Sequence, residues 1–115
     1  MIMKYSIDKV HERKDPYERR NGKTVDVLMD AIGMVMVTEN ETVPIIVPRL
    51  DWSYHLRKMF IDIVINHFND EPVIKTQEEF YIKGYSSRIR IFSEYQWDNG
   101  AGRGLRITKI LRDCQ

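Results

Sequence analysis

One stretch, Asp51 to Asn69, constrains the fold more than any other, because its pattern reads as a long helix without help from its neighbours. Trp52, Leu56, Met59, Phe60, Ile63 and His67 recur at the 3.6-residue period and share one face. Asp51 suits an N-cap, and Pro48 suits the approach to a helix start. Asn69 and then Pro72 mark the stop. Such a helix must bury its stripe, and the segments on either side are short, apolar and strand-like. The expected fold is therefore α+β: two antiparallel β-meanders around one central α-helix of about residues 51–69, in a single domain spanning 1–115. Burying the stripe is worth at most about 1.5–3 kcal/mol per large side chain.

Met3, Tyr5 and Ile7 alternate with polar neighbours and read as a first strand. A highly charged connection follows, with Pro16 and Asn21-Gly22 as breakers and Tyr17 set among Arg13, Lys14, Arg19, Arg20 and Lys23. Residues 24–32 fit two patterns. Val25, Leu28, Met29 and Ile32 suit a helix, whereas Val25, Val27, Met29 and Ala31 suit a strand. The strand is favoured because the runs at 34–38 and 42–47 read as a hairpin about a polar turn. Pro44 cannot donate to a ladder, so its strand belongs at an edge or begins there. Beyond the helix, residues 78–84, 88–95 and 105–112 read as three more strands, the last two joined by a Gly-rich loop over 96–104.

Apolar residues make up 43% and charged residues 30% of the chain, the balance of a globular protein rather than a disordered one. No apolar run reaches membrane-spanning length, and the charged start does not resemble a signal peptide. The single Cys114 excludes an internal disulfide and fits a reducing, cytoplasmic setting. Three scattered histidines (His11, His55 and His67) make no metal-ligand spacing, and no cofactor fingerprint occurs, so neither metal nor cofactor is expected. His67, on the apolar face of the helix, is expected to be packed and satisfied. The net charge of +1 conceals blocks: +3 over residues 1–23, −6 over 24–82 and +4 over 83–115.

The informative constellation is the C-terminal meander. Alternation places Arg88, Arg90 and Phe92 on one strand face, with Tyr81 and Lys83 on the matching face before it and Arg106, Thr108 and Arg112 after it. Arginines interleaved with aromatics suit phosphate pairing and base stacking, and Arg103 adds a cation beside the glycines of the loop. The expected ligand-binding residues are therefore Arg88, Arg90, Phe92, Arg103, Arg106, Tyr81 and Lys83, acting without catalysis on a phosphate-bearing ligand, either a nucleic acid or a small nucleotide. Two alternatives stand beside this one. A small protein-interaction or inhibitory module, an accessory protein of phage type, fits the small size and lack of motifs. A small ribonuclease-like enzyme would use Glu78 and Glu79 with the arginines in acid–base chemistry.

The back of the central helix carries Tyr54, Ile61 and Ile65, with Phe68 close by. A helix in a two-layer domain should be polar there, so these residues are the expected contact of a homo-oligomer, most simply a dimer.

Overall fold

The computed structural model describes the backbone of residues 16–113 and the side chains from residue 23 onward. The suggested first strand at Met3–Ile7, the cations Arg13 and Lys14, and His11 lie outside the described residues. The elements run α1 (Pro16–Val37), β1 (Thr42–Val47), a 3₁₀ turn (Leu50–Trp52), α2 (Ser53–Asn66), β2 (Pro72–Ile74), β3 (Glu79–Ile82), β4 (Arg88–Ser93), α3 (Glu94–Asp98) and β5 (Leu111–Arg112). Among the described residues five strands form one mixed sheet in the order β2-β3-β4-β1-β5. β2, β3 and β4 pair antiparallel, and β1 runs parallel to both β4 and β5. The protein is α+β, and the meander arrangement expected from the sequence matches it only in outline.

The first meander does not form. Residues 24–37 are helix, as is the Asn21-Gly22 pair that reads as a breaker. Thr24, Val25, Leu28, Ala31, Ile32 and Val35 are buried, a three-and-four spacing that only a helix produces. The strand-like reading leans on the β-branched run around Val35 and Val37, yet Val37 is 76% exposed. Tertiary burial of the helical stripe outweighs the weak local β preference. Pro16 is the first residue of α1, where proline costs no hydrogen bond. The turn into β1 is sewn to the start of β4: Thr38 Oγ1 lies 2.8 Å from Ser87 Oγ, which accepts the Glu41 N–H at 3.0 Å. Asn40 takes the left-handed conformation there, φ 58°, one that asparagine tolerates.

The central helix starts slightly later than expected. Asp51 sits in the 3₁₀ turn and pairs with Arg49 instead of capping α2. Asn69, at φ 56°, supplies the left-handed residue that ends it. Ser53, Leu56, Phe60, Ile63 and Val64 are buried, whereas His67 is exposed and touches Phe68 edge-on, so the expected packed histidine is corrected. At the helix end His67 lies beyond the turn that Phe60 and Ile63 hold against the sheet, so nothing encloses it.

Helices α1 and α2 share one core with Val43, Ile45 and Val47 of β1, Phe80 and Ile82 of β3, Ile89 and Ile91 of β4, and Leu111. The rings of Phe60 and Phe80 meet at 4.4 Å between centroids. Alternation then sends Pro44, Ile46, Arg88, Arg90 and Phe92 to the opposite face of the sheet. Pro44 sits in an inner strand, but locally it has no ladder to break. Thr42 N–H donates to the Arg106 carbonyl, and the Ile46 carbonyl accepts from Asp113, so even positions of β1 face β5. β5 begins pairing only at Ile45, and the missing N–H of Pro44 falls in the gap.

The expected C-terminal strand over 105–112 shrinks to Leu111–Arg112, and it joins β1 rather than β4. Its place in the antiparallel set is taken by β2, from the Pro72 segment that reads as a helix stop. The end of the 88–95 run also changes. Ser93 caps α3 with a full capping box, its hydroxyl accepting the Gln96 N–H while the Gln96 side chain accepts the Ser93 N–H, each at 3.0 Å. Tyr95 is therefore helical and 78% exposed instead of strand-paired.

Candidate functional site

Register on the second face is set by the antiparallel β3–β4 pair, in which Glu79 lies opposite Arg90 and Tyr81 opposite Arg88. Glu79 does not pair with its direct neighbour. It reaches diagonally to Arg88, Nε to Oε2 2.6 Å, with Lys75 Nζ at 3.9 Å on its other side. The Glu79 side chain is only 11% exposed, so this pair is partly withdrawn from water. Arg88 is thereby neutralised. Arg90 has no carboxylate within ion-pair distance among the described residues, and its guanidinium lies over the Phe92 ring at 5.1 Å.

Phe92 is buried beneath that cation and against Trp97 of α3, centroid to centroid 5.3 Å. Trp97 in turn rests on the backbone of Gly102: a Cβ at that position would stand 2.3 Å from the indole ring, so a side chain there cannot be accommodated without moving it. The chain from Gly100 to Leu105 is a run of backbone-bonded turns, with Ala101 N–H donating to the Gln96 carbonyl and Arg103 N–H to that of Gly100. The segment that reads as a Gly-rich hairpin loop is thus a short helix plus turns laid across the sheet. It joins β4 to a strand two places away, so it must cross the face that β1 presents.

Between this segment and the β3–β4 pair lies a cleft of about 240 Å³, lined by Thr76, Glu78, Glu79, Arg90, Ile91, Phe92, Gln96 and Ala101. Ile91 N–H donates to the Glu78 carbonyl at 2.7 Å, which fixes Glu78 at the rim. The Glu78 carboxylate makes no hydrogen bond or ion pair among the described residues.

The seven residues expected to bind ligand are distributed as follows. Arg88, Arg90, Phe92 and Tyr81 share the second face, and Arg90 and Phe92 line the cleft. Lys83 lies just past β3 and pairs with Glu71 at 3.6 Å. Arg103 and Arg106 are exposed on the turns after α3, with no strand to align them with Arg90. Arg112 pairs with Glu94 at 2.8 Å. Glu78, which the sequence offers with Glu79 for acid–base chemistry, is also among the lining residues, and Gln96 and Trp97 are the additions that the structure makes. Gln96 carries a sequence signal in retrospect, since Ser93 and Gln96 have capping-box spacing.

On the first face, Tyr54 is 51% and Ile65 47% exposed, while Ile61 packs partly into the core. Tyr54 is flanked by Arg57 and Lys58, at 5.4 and 5.2 Å from its ring. Among the described residues no group of three His, Cys, Asp or Glu could hold a metal ion, and no helix is long and apolar enough to cross a membrane. No family model, no curated protein and no solved structure matches this chain.

Proposed function

We propose that the protein is a non-enzymatic binding module for a phosphate-bearing ligand, a nucleotide or nucleic acid, which it engages on the second face of its sheet. The observation that carries this reading is Arg90: a guanidinium with no carboxylate within ion-pair distance among the described residues, lying over a buried phenylalanine at the wall of a cleft. A cation resting over an aromatic ring is restrained before any ligand arrives, which lowers the entropic cost of pairing it with an anion. Arg103 and Arg106 are further exposed cations on the segment after α3. Arg88 serves a different end, holding Glu79 in place.

Arg90→Ala should weaken a nucleotide or oligonucleotide by about tenfold or more at low salt, the worth of one charge-assisted hydrogen bond, and leave the thermal midpoint nearly unchanged. Titration calorimetry on both proteins measures it. Equal affinity in the two proteins removes Arg90 from the site, and no affinity of the unsubstituted protein for any phosphate ligand ends the reading. Glu78 and Glu79 with the arginines are the groups an acid–base ribonuclease would use, and cleavage of RNA in the same samples would favour that reading.

A homodimer through α2 is a second proposal, supported by exposed Tyr54 and Ile65 at helical spacing. The protein-interaction alternative would use the same patch. Ile61 packs into the core and is a poor probe, so Ile65→Glu is the discriminating substitution. Light scattering should report a dimer that the substitution converts to a folded monomer. An unsubstituted protein that stays monomeric at high micromolar concentration ends the idea.

A further inference from the structure

We infer that the cleft selects a terminal phosphate, the doubly charged monoester of a nucleotide or of a strand end, and that Lys75 binds it together with Arg90; the inference rests on the phosphate-ligand reading above. Strand register comes first. The β2–β3 pairing of Ile74 with Phe80 continues one step to Lys75 and Glu79, where the Lys75 N–H donates to the Glu79 carbonyl at 2.9 Å. Glu79 in turn lies opposite Arg90. Residues directly opposite in an antiparallel ladder share a face, so Lys75, Glu79 and Arg90 form a row across the second face of the sheet. Glu79 and Arg90 line the cleft, and the Lys75 ammonium lies 3.9 Å from Glu79 Oε2, which brings it to the same place.

Charge decides which kind of phosphate fits. Arg88 holds Glu79 Oε2 at 2.6 Å, against 3.9 Å for Lys75 on the same oxygen, so Arg88 is the cation that offsets this carboxylate. Lys75 keeps its side chain 59% exposed, and so long an ion pair is readily given up for a ligand. Glu78 falls opposite Ile91 in the same register, and alternation turns its side chain toward the helix side, away from the row. Lys75 and Arg90 are thus two positive charges in excess, one on each side of Glu79. A phosphate monoester carries a charge of about −1.5 to −2 at neutral pH, whereas a phosphodiester inside a strand carries a single one. The pair of cations matches the monoester.

Reach and size agree with this. Neighbouring strands lie about 4.7–4.9 Å apart, so the Lys75 and Arg90 backbones stand about 10 Å apart, a span that two long side chains close on one phosphate from opposite sides. At about 240 Å³ the cleft lies below the range of roughly 300–1,000 Å³ usual for drug-sized ligands, so it takes the phosphate end and leaves the nucleoside outside. The remaining polar side chains of the walls are neutral: Thr76, next to Lys75 in the chain, and Gln96, whose Oε1 is taken by the Ser93 N–H. Neither opposes a dianion.

The test is titration calorimetry at low salt on the full chain. The probes are the 5′-monophosphates of adenosine, guanosine, cytidine and uridine, the methyl esters of those phosphates, and an oligonucleotide carrying either a 5′-phosphate or a 5′-hydroxyl. The expected result is a monophosphate bound about tenfold or more tighter than its singly charged methyl ester, with Lys75→Ala removing that preference. A 5′-phosphorylated oligonucleotide bound tighter than its 5′-hydroxyl form supports the inference and assigns the site to strand ends; binding of mononucleotides alone supports it and assigns the site to free nucleotides. Equal affinity for monophosphates and methyl esters overturns the inference and leaves the phosphate-ligand reading standing. So does equal binding of the two oligonucleotides without any mononucleotide. A monoester preference that survives Lys75→Ala also overturns it. No binding of any member removes both readings. The unsubstituted protein decides the monoester preference by itself, so the inference stays open to refutation even if the variant fails to fold.

Discussion

Phe60→Ala should lower the free energy of unfolding by about 3–5 kcal/mol, as truncating a buried aromatic does where the surroundings only partly collapse. Phe60 has no exposed surface and stands ring to ring with Phe80, 4.4 Å between centroids. It ties α2 to β3. Since small domains are stable by only about 5–15 kcal/mol, the loss takes a large part of the total. Urea unfolding followed by circular dichroism measures it. The pair predicts more than a magnitude: Phe60→Ala and Phe80→Ala together should cost less than the sum of the two alone, because each removes the other's partner. A loss under about 1 kcal/mol for Phe60→Ala would mean that α2 is not packed on β3 as described. The consequence reaches the cleft, because Phe80 follows Glu79 directly and its burial on the helix side sends Glu79 to the face that carries the cleft.

Asp113→Ala should be the second large effect. The carboxylate is fully buried and accepts the Thr24 hydroxyl at 3.0 Å and the Trp52 indole N–H at 2.8 Å. It therefore joins α1, the 3₁₀ turn before α2 and the end of β5. Removing the acceptor strands two donors away from water, at about 1–3 kcal/mol each. A total loss of about 2–6 kcal/mol is expected on that basis, with a smaller loss for Asp113→Asn, which keeps one acceptor oxygen. Denaturation followed by Trp52 fluorescence in a Trp97→Phe background reads the network directly. An Asp113→Ala protein as stable as the parent would show that Thr24 and Trp52 find other acceptors, and the tie would lose its importance.

Neither residue belongs to the cleft, yet both hold what frames it. Phe60 clamps the β3 side through Phe80. Asp113 clamps β5, the strand reached only after the chain has crossed the second face with Trp97 and Ala101. The proposed ligand site is thus built from the sheet on one side and an anchored crossing segment on the other, an arrangement suited to holding a small ligand.

By itself the sequence determined the α+β class, the central helix, the strands β1, β3 and β4, and the sharing of one face by Arg88, Arg90 and Phe92. Each of these follows from a local period: near 3.6 residues for Leu56, Phe60 and Ile63, and two for the alternation along β4. Tertiary structure decided the rest. Residues 24–37 satisfy both periods, and only the core that receives Leu28, Ile32 and Val35 selects the helix. The parallel placement of β1 between β4 and β5 involves partners far apart in sequence, which no local pattern encodes. The choice of Glu79 for Arg88 over Arg90 was equally beyond reach, because a diagonal ion pair depends on the register of two strands. That one pairing left Arg90 free to lie on Phe92, and so separated a structural arginine from the one proposed to bind. Periodicity sets which face a side chain occupies; only the packed neighbours set what it meets there.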